Sequence, residues 1–266
     1  MCSSIRFRLV SSLVLLLALP ALAGCSLLEK LNARDELNKG VTAYTAQRWG
    51  VAEQHFQEAI RLDPELIAAR LYMATAYRSQ VVPNFNSPEN LTMADRAIAA
   101  FQEVLEQEPE NVNAIANIAG IYNAVDDLDQ AKEWYRKFAE TDPTNADPHY
   151  GIGTIDWKLA HDKTGLNGEN AANLEEEDRL SVVGIVDEGV QSLQTALEKR
   201  PDYHEAMQYL NLLYRERAYL AVDEEERIKW EREADRLALQ ALDLKRQLQD
   251  EEEKRRHSFG TEETTN

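Results

Sequence analysis

The chain has 266 residues and carries 47 acidic against 29 basic side chains, a formal net charge of −18. A surface this acidic repels nucleic acid and anionic headgroups, which excludes a polyanion-binding role. Two cysteines, at positions 2 and 25, are too few for a disulfide framework, so the fold must hold by packing.

Arg6 and Arg8 precede an apolar run from Leu9 to Leu19 that is short for a permanent membrane span, the layout of an export signal. The run ends in Leu22-Ala23-Gly24-Cys25, which resembles the lipobox of bacterial lipoproteins. The resemblance implies that the Cys25 sulfur takes a diacylglycerol and that residues 1–24 are removed. Loss of Arg6 and Arg8, with no acidic residue before Cys25, takes the net charge from −18 to −20. With its remaining cysteine lipidated, the mature chain can form no internal disulfide. Attachment then rests on acyl chains, at roughly 0.8 kcal/mol per buried methylene. Residues 25–30 form the anchor and a short linker, and helical periodicity begins at about Leu31.

Beyond it one pattern recurs: a small residue, an aromatic or apolar residue four on, another apolar residue three later, and a proline five after that. The copies are Ala52, Phe56, Ala59, Pro64; Ala97, Phe101, Val104, Pro109; Ala131, Tyr135, Phe138, Pro143; and a weaker Gly189, Leu193, Ala196, Pro201. Ala234, Ala238 and Ala241 read as a fifth that has lost its proline. The second and third copies are 34 residues apart, whereas the first step is 45 and the third is 58, so insertions are expected near 79–89 and 160–182. This resembles the tetratricopeptide repeat family, whose unit is an antiparallel helix pair with proline ending the second helix. Val112 to Pro143, with Ala119 and Tyr122 in its first helix, fits best.

Few glycines, no β-branched alternation, and Ala, Tyr and Leu at spacings of three and four predict helices independently. Asp63-Pro64, Asp142-Pro143 and Ser87-Pro88-Glu89 are expected to open helices, and Asp202 with Glu205 reads as a capping box. The fold class is all-α, a right-handed superhelical solenoid of about five antiparallel pairs over 31–256, closed by a long C-terminal helix from about Asp223. The tail 257–266 is expected to be disordered.

Residues that would carry chemistry are not arranged for it. His55, His149, His161, His204 and His257 are scattered, with no i, i+4 pair. Gly184 to Gly189 has phosphate-loop spacing, yet Val190-Gln191 stand where lysine and a hydroxyl residue are needed. Gly151-x-Gly153 lacks a third glycine and is read as a close-packing site. The acidic runs Glu175-Glu176-Glu177 and Asp223 to Glu226 are read as solvated helix starts. The reading is therefore not an enzyme, with no cofactor and no metal.

In the resembled family the first helix of each pair lines a groove that holds peptide. The twelfth position of each first helix is Tyr44, Arg78, Asn123, Trp157 and Arg215, with Asn117 and Tyr150 nearby, and these form the candidate peptide-binding groove. Aromatic and arginine side chains bring area and a polar handle to interfaces. The lysine, asparagine and arginine clamp of chaperone-tail receptors is matched only by Asn117. Leu37, Val41, Ala116, Asp147 and Gly151 occupy its other places, which argues against that role. The apolar segment Val81 to Asn86 of the first insertion offers a second binding edge.

The sequence thus reads as a lipid-anchored scaffold that binds envelope proteins or peptide segments, with Ser26 after Cys25 pointing to the outer membrane. A structural, cell-wall-organising lipoprotein is the alternative. Cys25→Ala is expected to abolish incorporation of a fatty-acid analogue and leave a soluble or uncleaved chain, and persistent labelling refutes the lipobox.

Overall fold

A computed structural model describes residues 27–262; the segment read as an export signal, Cys25, the linker residue Ser26 and residues 263–266 lie outside them. The described residues form ten α-helices and no strand, in two compact units that divide between Asp126 and Asp127.

The first unit holds α1 (27–45), α2 (Trp49–Leu62), α3 (Ile67–Arg78), α4 (Pro88–Gln107) and α5 (Val112–Ala124). The repeat residues Ala52, Phe56 and Ala59 on α2, and Ala97, Phe101 and Val104 on α4, are all fully buried. Phe56 lies so close to Gly40 of α1 that a Cβ there would stand 2.4 Å from its ring. Close approach is what the small residues permit, and each helix buries its stripe against the next in chain order.

The first insertion is a connector, 79–87, plus extra turns on α4, which has 20 residues where α2 has 14. Ser87 caps α4 by accepting from the Asn90 amide, and Pro88 follows in the first turn, as expected. Asp63 behaves differently from expectation. It ends α2, and its carboxylate accepts the Glu65 amide at 3.3 Å within the turn, so α3 starts only at Ile67. Asp142 likewise ends the helix before it and binds the Thr144 amide and hydroxyl. A carboxylate two residues from an amide closes a turn more readily than it caps a helix further on.

The second unit holds α6 (Leu128–Thr141), α7 (Asp147–Thr164), α8 (Glu176–Lys199), α9 (His204–Tyr219) and α10 (Glu224–Glu262). The second insertion is mostly helix. α7 has 18 residues and α8 has 24, and only 165–175, with one 3-10 turn at Ala171–Asn173, connects them. Ala160, Thr164, Val182 and Val186 bury themselves along this lengthened pair. Gly165, at φ 86°, ends α7 in a conformation that side chains disfavour. Glycines 184 and 189 lie inside α8, and a Cβ at Gly189 would stand 2.8 Å from both Asp156 and Leu213. A Cβ at Gly151 or Gly153 of α7 would meet Tyr135 at 2.6 Å or Leu193 at 2.4 Å. Gly151, Gly153 and Gly189 serve helix contact, whereas a Cβ at Gly184 would meet nothing within 4 Å.

Tyr203 precedes α9 without a side-chain cap, so the expected Asp202 capping box does not form, and Glu205 instead faces His204. α10 packs on α9 through Ala234, Leu237 and Ala241: Ala234 and Ala241 are buried as the repeat pattern assigns, whereas Ala238 is exposed and Leu237 is buried in its stead. Asn211 donates to the Ala234 carbonyl and fixes that register. The backbone is helical through Glu262 and so extends into the segment read as a disordered tail. Elongation of a formed helix gains one hydrogen bond for each residue added.

One ionic cluster is built into this unit. The Lys132 ammonium lies 2.5 Å from Asp156 and 3.0 Å from Glu188, and Arg136 reaches Glu188 at 2.7 Å. Asp156 is fully buried, and its second carboxylate oxygen has no partner. Burial pushes its carboxyl up to about 6, with the Lys132 ammonium pulling the other way. A buried charge that loses its counter-ion destabilises far more than the pair stabilises. Lys132→Met is therefore expected to lower unfolding free energy by about 3 kcal/mol or more, and adding Asp156→Leu to recover most of it. Chemical denaturation of the two variants reads this directly, and equal losses in both would contradict it.

Candidate functional site

On the second unit, α7 presents Tyr150, Trp157 and His161 along one stripe, since spacings of seven and four return to the same face. Tyr209 of α9 stands edge-on to two of them, 5.7 Å from Tyr150 and 5.4 Å from Trp157 between ring centroids. Tyr203 adds a tilted contact to Tyr150 at 4.8 Å, and His161 stacks on Trp157 at 5.1 Å. The result is a continuous half-buried aromatic ladder across two first helices.

Both ends of the ladder are fixed by charge. The Arg200 guanidinium lies 3.8 Å above the Tyr203 ring and pairs with Asp147, whose carboxylate also accepts the Tyr203 hydroxyl. At the other end His161 Nδ1 lies 3.0 Å from Oε1 of Glu216, and the Thr164 hydroxyl donates to Oε2 at 2.5 Å. Glu216 is buried. Its contact with Nδ1 orients the imidazole and leaves Nε2 for other contacts. Burial, reinforced by Tyr209 and Glu205, holds the Tyr150 phenol up to about 12, and burial together with Asp147 raises Tyr203 as well. Both stay neutral at physiological pH.

Of the groove residues read from the sequence, Tyr150 and Trp157 belong to this ladder. Arg215 does not; it pairs with Asp235 of α10 at 2.9 Å and contacts Asn211. On the first unit the Tyr44 hydroxyl shares a hydrogen bond with Ser79 at 3.1 Å, and its ring meets Trp49 edge-on. Arg78 is exposed, with its guanidinium 3.2 Å from where a Cβ of Gly120 would stand, so α1, α3 and α5 contribute to one side of that unit. Asn117 spends its amide on the Asn113 carbonyl of its own helix, and Asn123 is half-buried at the end of α5. Sequence reasoning missed Tyr203, Tyr209 and His161. The α7 spacing Tyr150, Trp157, His161 would have found the last.

Among the described residues no group of three or more His, Cys, Asp or Glu is placed to hold a metal ion, and no helix is long and apolar enough to cross a membrane.

Residues 93–153 match the profile of the tetratricopeptide repeat. The match covers 61 of the 266 residues, and the consecutive packed helix pairs around it give the described residues a tetratricopeptide-repeat-like fold, of the kind that serves in protein-interaction scaffolds. The fold is similar to that of MamA. A crystal structure of MamA protein superposes with a TM-score of 0.54 at 12% identity, covering 77% of this chain and 91% of that one. A MamA RS-1 double mutant gives 0.56 at 15% identity over 82% and 96%. MamA from Desulfovibrio magneticus RS-1 gives 0.54 at 16% over 81% and 96%. At such identities the likeness is one of fold alone. No curated protein matches the sequence significantly.

The Tyr150 phenol supplies a test of the ladder's burial. The unfolded chain releases this proton near 10 and the folded chain near 12, so between those values stability falls as pH rises. Tyr150→Phe is expected to make that fall shallower in urea melts taken at pH 10 and 12. An unchanged slope would place the phenol in bulk solvent.

Proposed function

We propose that this protein is a lipid-anchored scaffold of the bacterial envelope that gathers extended segments of partner proteins on the face of its first helices. The observation that carries the binding half is the aromatic ladder Tyr203, Tyr150, Tyr209 and Trp157. Its rings are held at fixed angles before any ligand arrives, so little side-chain entropy remains to be lost on binding. Tyr203 is buried, and the half-buried faces of Tyr150, Tyr209 and Trp157 offer apolar area with a polar edge, the mixture enriched in protein interfaces. Leu22-Ala23-Gly24-Cys25 supports the anchoring half, through acylation of Cys25. Ser26 supports retention at the outer membrane, facing the periplasm, and a role in assembling an envelope complex follows from that address.

A second binding face is favoured by one specific observation in the first unit. Val82 and Phe85 are 53% and 54% exposed, yet their loop is fastened. Asn90, itself buried, accepts the Val82 amide at 2.7 Å and donates to the carbonyls of Val82 and Phe85. The Asn84 amide adds a bond to Ala124 at the end of α5. A loop held this firmly presents its apolar side chains in one arrangement, as a binding loop does.

The two faces make opposite forecasts against a partner captured by crosslinking the native protein in its own membrane. With the ladder as the contact, Tyr209→Ala with Trp157→Ala weakens capture about tenfold or more at unchanged helicity, since interface aromatics often contribute about 2 kcal/mol or more each. With the loop as the contact, deleting residues 82–86 abolishes capture and the paired change leaves it intact. Capture unaffected by either would remove both faces from the function.

A further inference from the structure

The most exposed apolar residues of the first unit sit at its very start. Leu27, Leu28 and Leu31 of α1 are 63%, 60% and 54% exposed. Successive residues of an α-helix turn by about 100°, which puts the three leucines within an arc of roughly 100°. Ala33 and Leu37, which pack inward against the first unit, point to the opposite side of α1. The leucines are therefore not part of the unit's core.

The same face turns polar one turn later. Going up α1 it carries Asp35, Asn38, Thr42 and Thr45, all exposed. Asp35 pairs with Lys39 at 2.7 Å, and the hydroxyls of Thr42 and Thr45 bond to their own helix. A protein partner or second copy laid along α1 would find apolar contacts for a single turn and none beyond. An occupant bounded by a plane across the helix axis fits better, because it covers the end and leaves the rest in water. Cys25 is two residues before Leu27. Acyl chains on that cysteine would hold this end of α1 at a bilayer.

We infer that the first turn of α1, through Leu27, Leu28 and Leu31, inserts into the interfacial layer of the membrane and fixes how the first unit stands on it. This rests on the acylation of Cys25 proposed above. Burial of the three leucines adds apolar contact to an acyl anchor that is otherwise free to swivel. Lys30, whose ammonium lies 3.4 Å from Glu65, and the exposed Arg34 flank the patch on one side, and side chains of this kind can lay their stems along apolar surface with their heads among headgroups. They offset locally the repulsion that the acidic chain feels from anionic headgroups.

The test uses the full acylated protein in vesicles of phosphatidylethanolamine and phosphatidylglycerol. Leu28→Cys, Leu31→Cys and Asn38→Cys are made singly and labelled with a polarity-sensitive fluorophore, since lipidation blocks the native thiol. Labels at 28 and 31 are expected to emit toward the blue and to be quenched by spin-labelled lipid, whereas the label at 38 emits as in water. Fatty-acid incorporation at Cys25, measured on the same preparations, reports the anchor separately. Acylated protein with water-like emission at 28 and 31 overturns the inference and leaves the anchor standing. Blue emission that lipid quenchers do not reach, and that grows with protein density in the membrane, also overturns it, because a second copy then covers the leucines. Absence of acylation overturns the anchor and this inference together.

Discussion

Helices in this protein must approach closely before any of them has a core to belong to. The residues at the closest points are alanine and glycine: Gly40 under Phe56, Gly151 under Tyr135, Gly153 under Leu193, Gly189 between Asp156 and Leu213. A single helix pair has one apolar stripe too many, and only a neighbour at short range covers it. The repeat motif is the visible trace of that requirement. Its small residue admits the adjoining helix, and its aromatic or apolar residue fills the space that remains. Loss of a methyl-sized clearance at these points would be felt by two helices at once, since packed interiors do not yield smoothly.

Departures from the simple repeat follow the same constraint. The second insertion lengthens α7 and α8 together, so each added turn finds a partner, and the connector left over is short. The first insertion lengthens α4 alone and leaves a loop, whose polar backbone is satisfied by the single buried amide of Asn90. Both solutions obey the rule that added chain either packs or pays for its own hydrogen bonds. Buried polar groups elsewhere are treated likewise: Glu216 takes two donors, and Asn211 spends its amide on a carbonyl of α10. Asp156 departs from this, with one oxygen bound to Lys132 and the other unpartnered, as do the buried Nε atoms of Arg70 and Arg217, which make no hydrogen bond.

The proposed interaction surfaces grow out of this packing. The ladder on the second unit exists because α7 and α9, first helices of successive pairs, lie side by side and bring Tyr209 between Tyr150 and Trp157. Scaffolding by such a face asks for no catalytic group, and the titratable residues beside it fit that role. His161 is steadied by Glu216, Arg200 by Asp147, and Tyr150 and Tyr203 remain neutral. Rigid placement is the property they share.

What the sequence determined by itself is whatever depends on spacing along one helix. The all-α class, the repeat unit and the stripe residues Ala52, Phe56, Ala97, Phe101 and Leu193 were legible, because a period of 3.6 puts them on one face whatever lies opposite. Tyr150 and Trp157 were legible as surface residues of first helices for the same reason. Tertiary structure alone decided which of those side chains remain available. Arg215 is drawn to Asp235 across a gap of 20 residues, and Lys132 to Asp156 across 24. His161 meets Glu216 across 55. Nothing local anticipates such pairs, since each depends on how two helices slide past one another when their small residues come into contact. The buried register of α10, with Leu237 in and Ala238 out, was settled in that way, by the face that α9 had left uncovered.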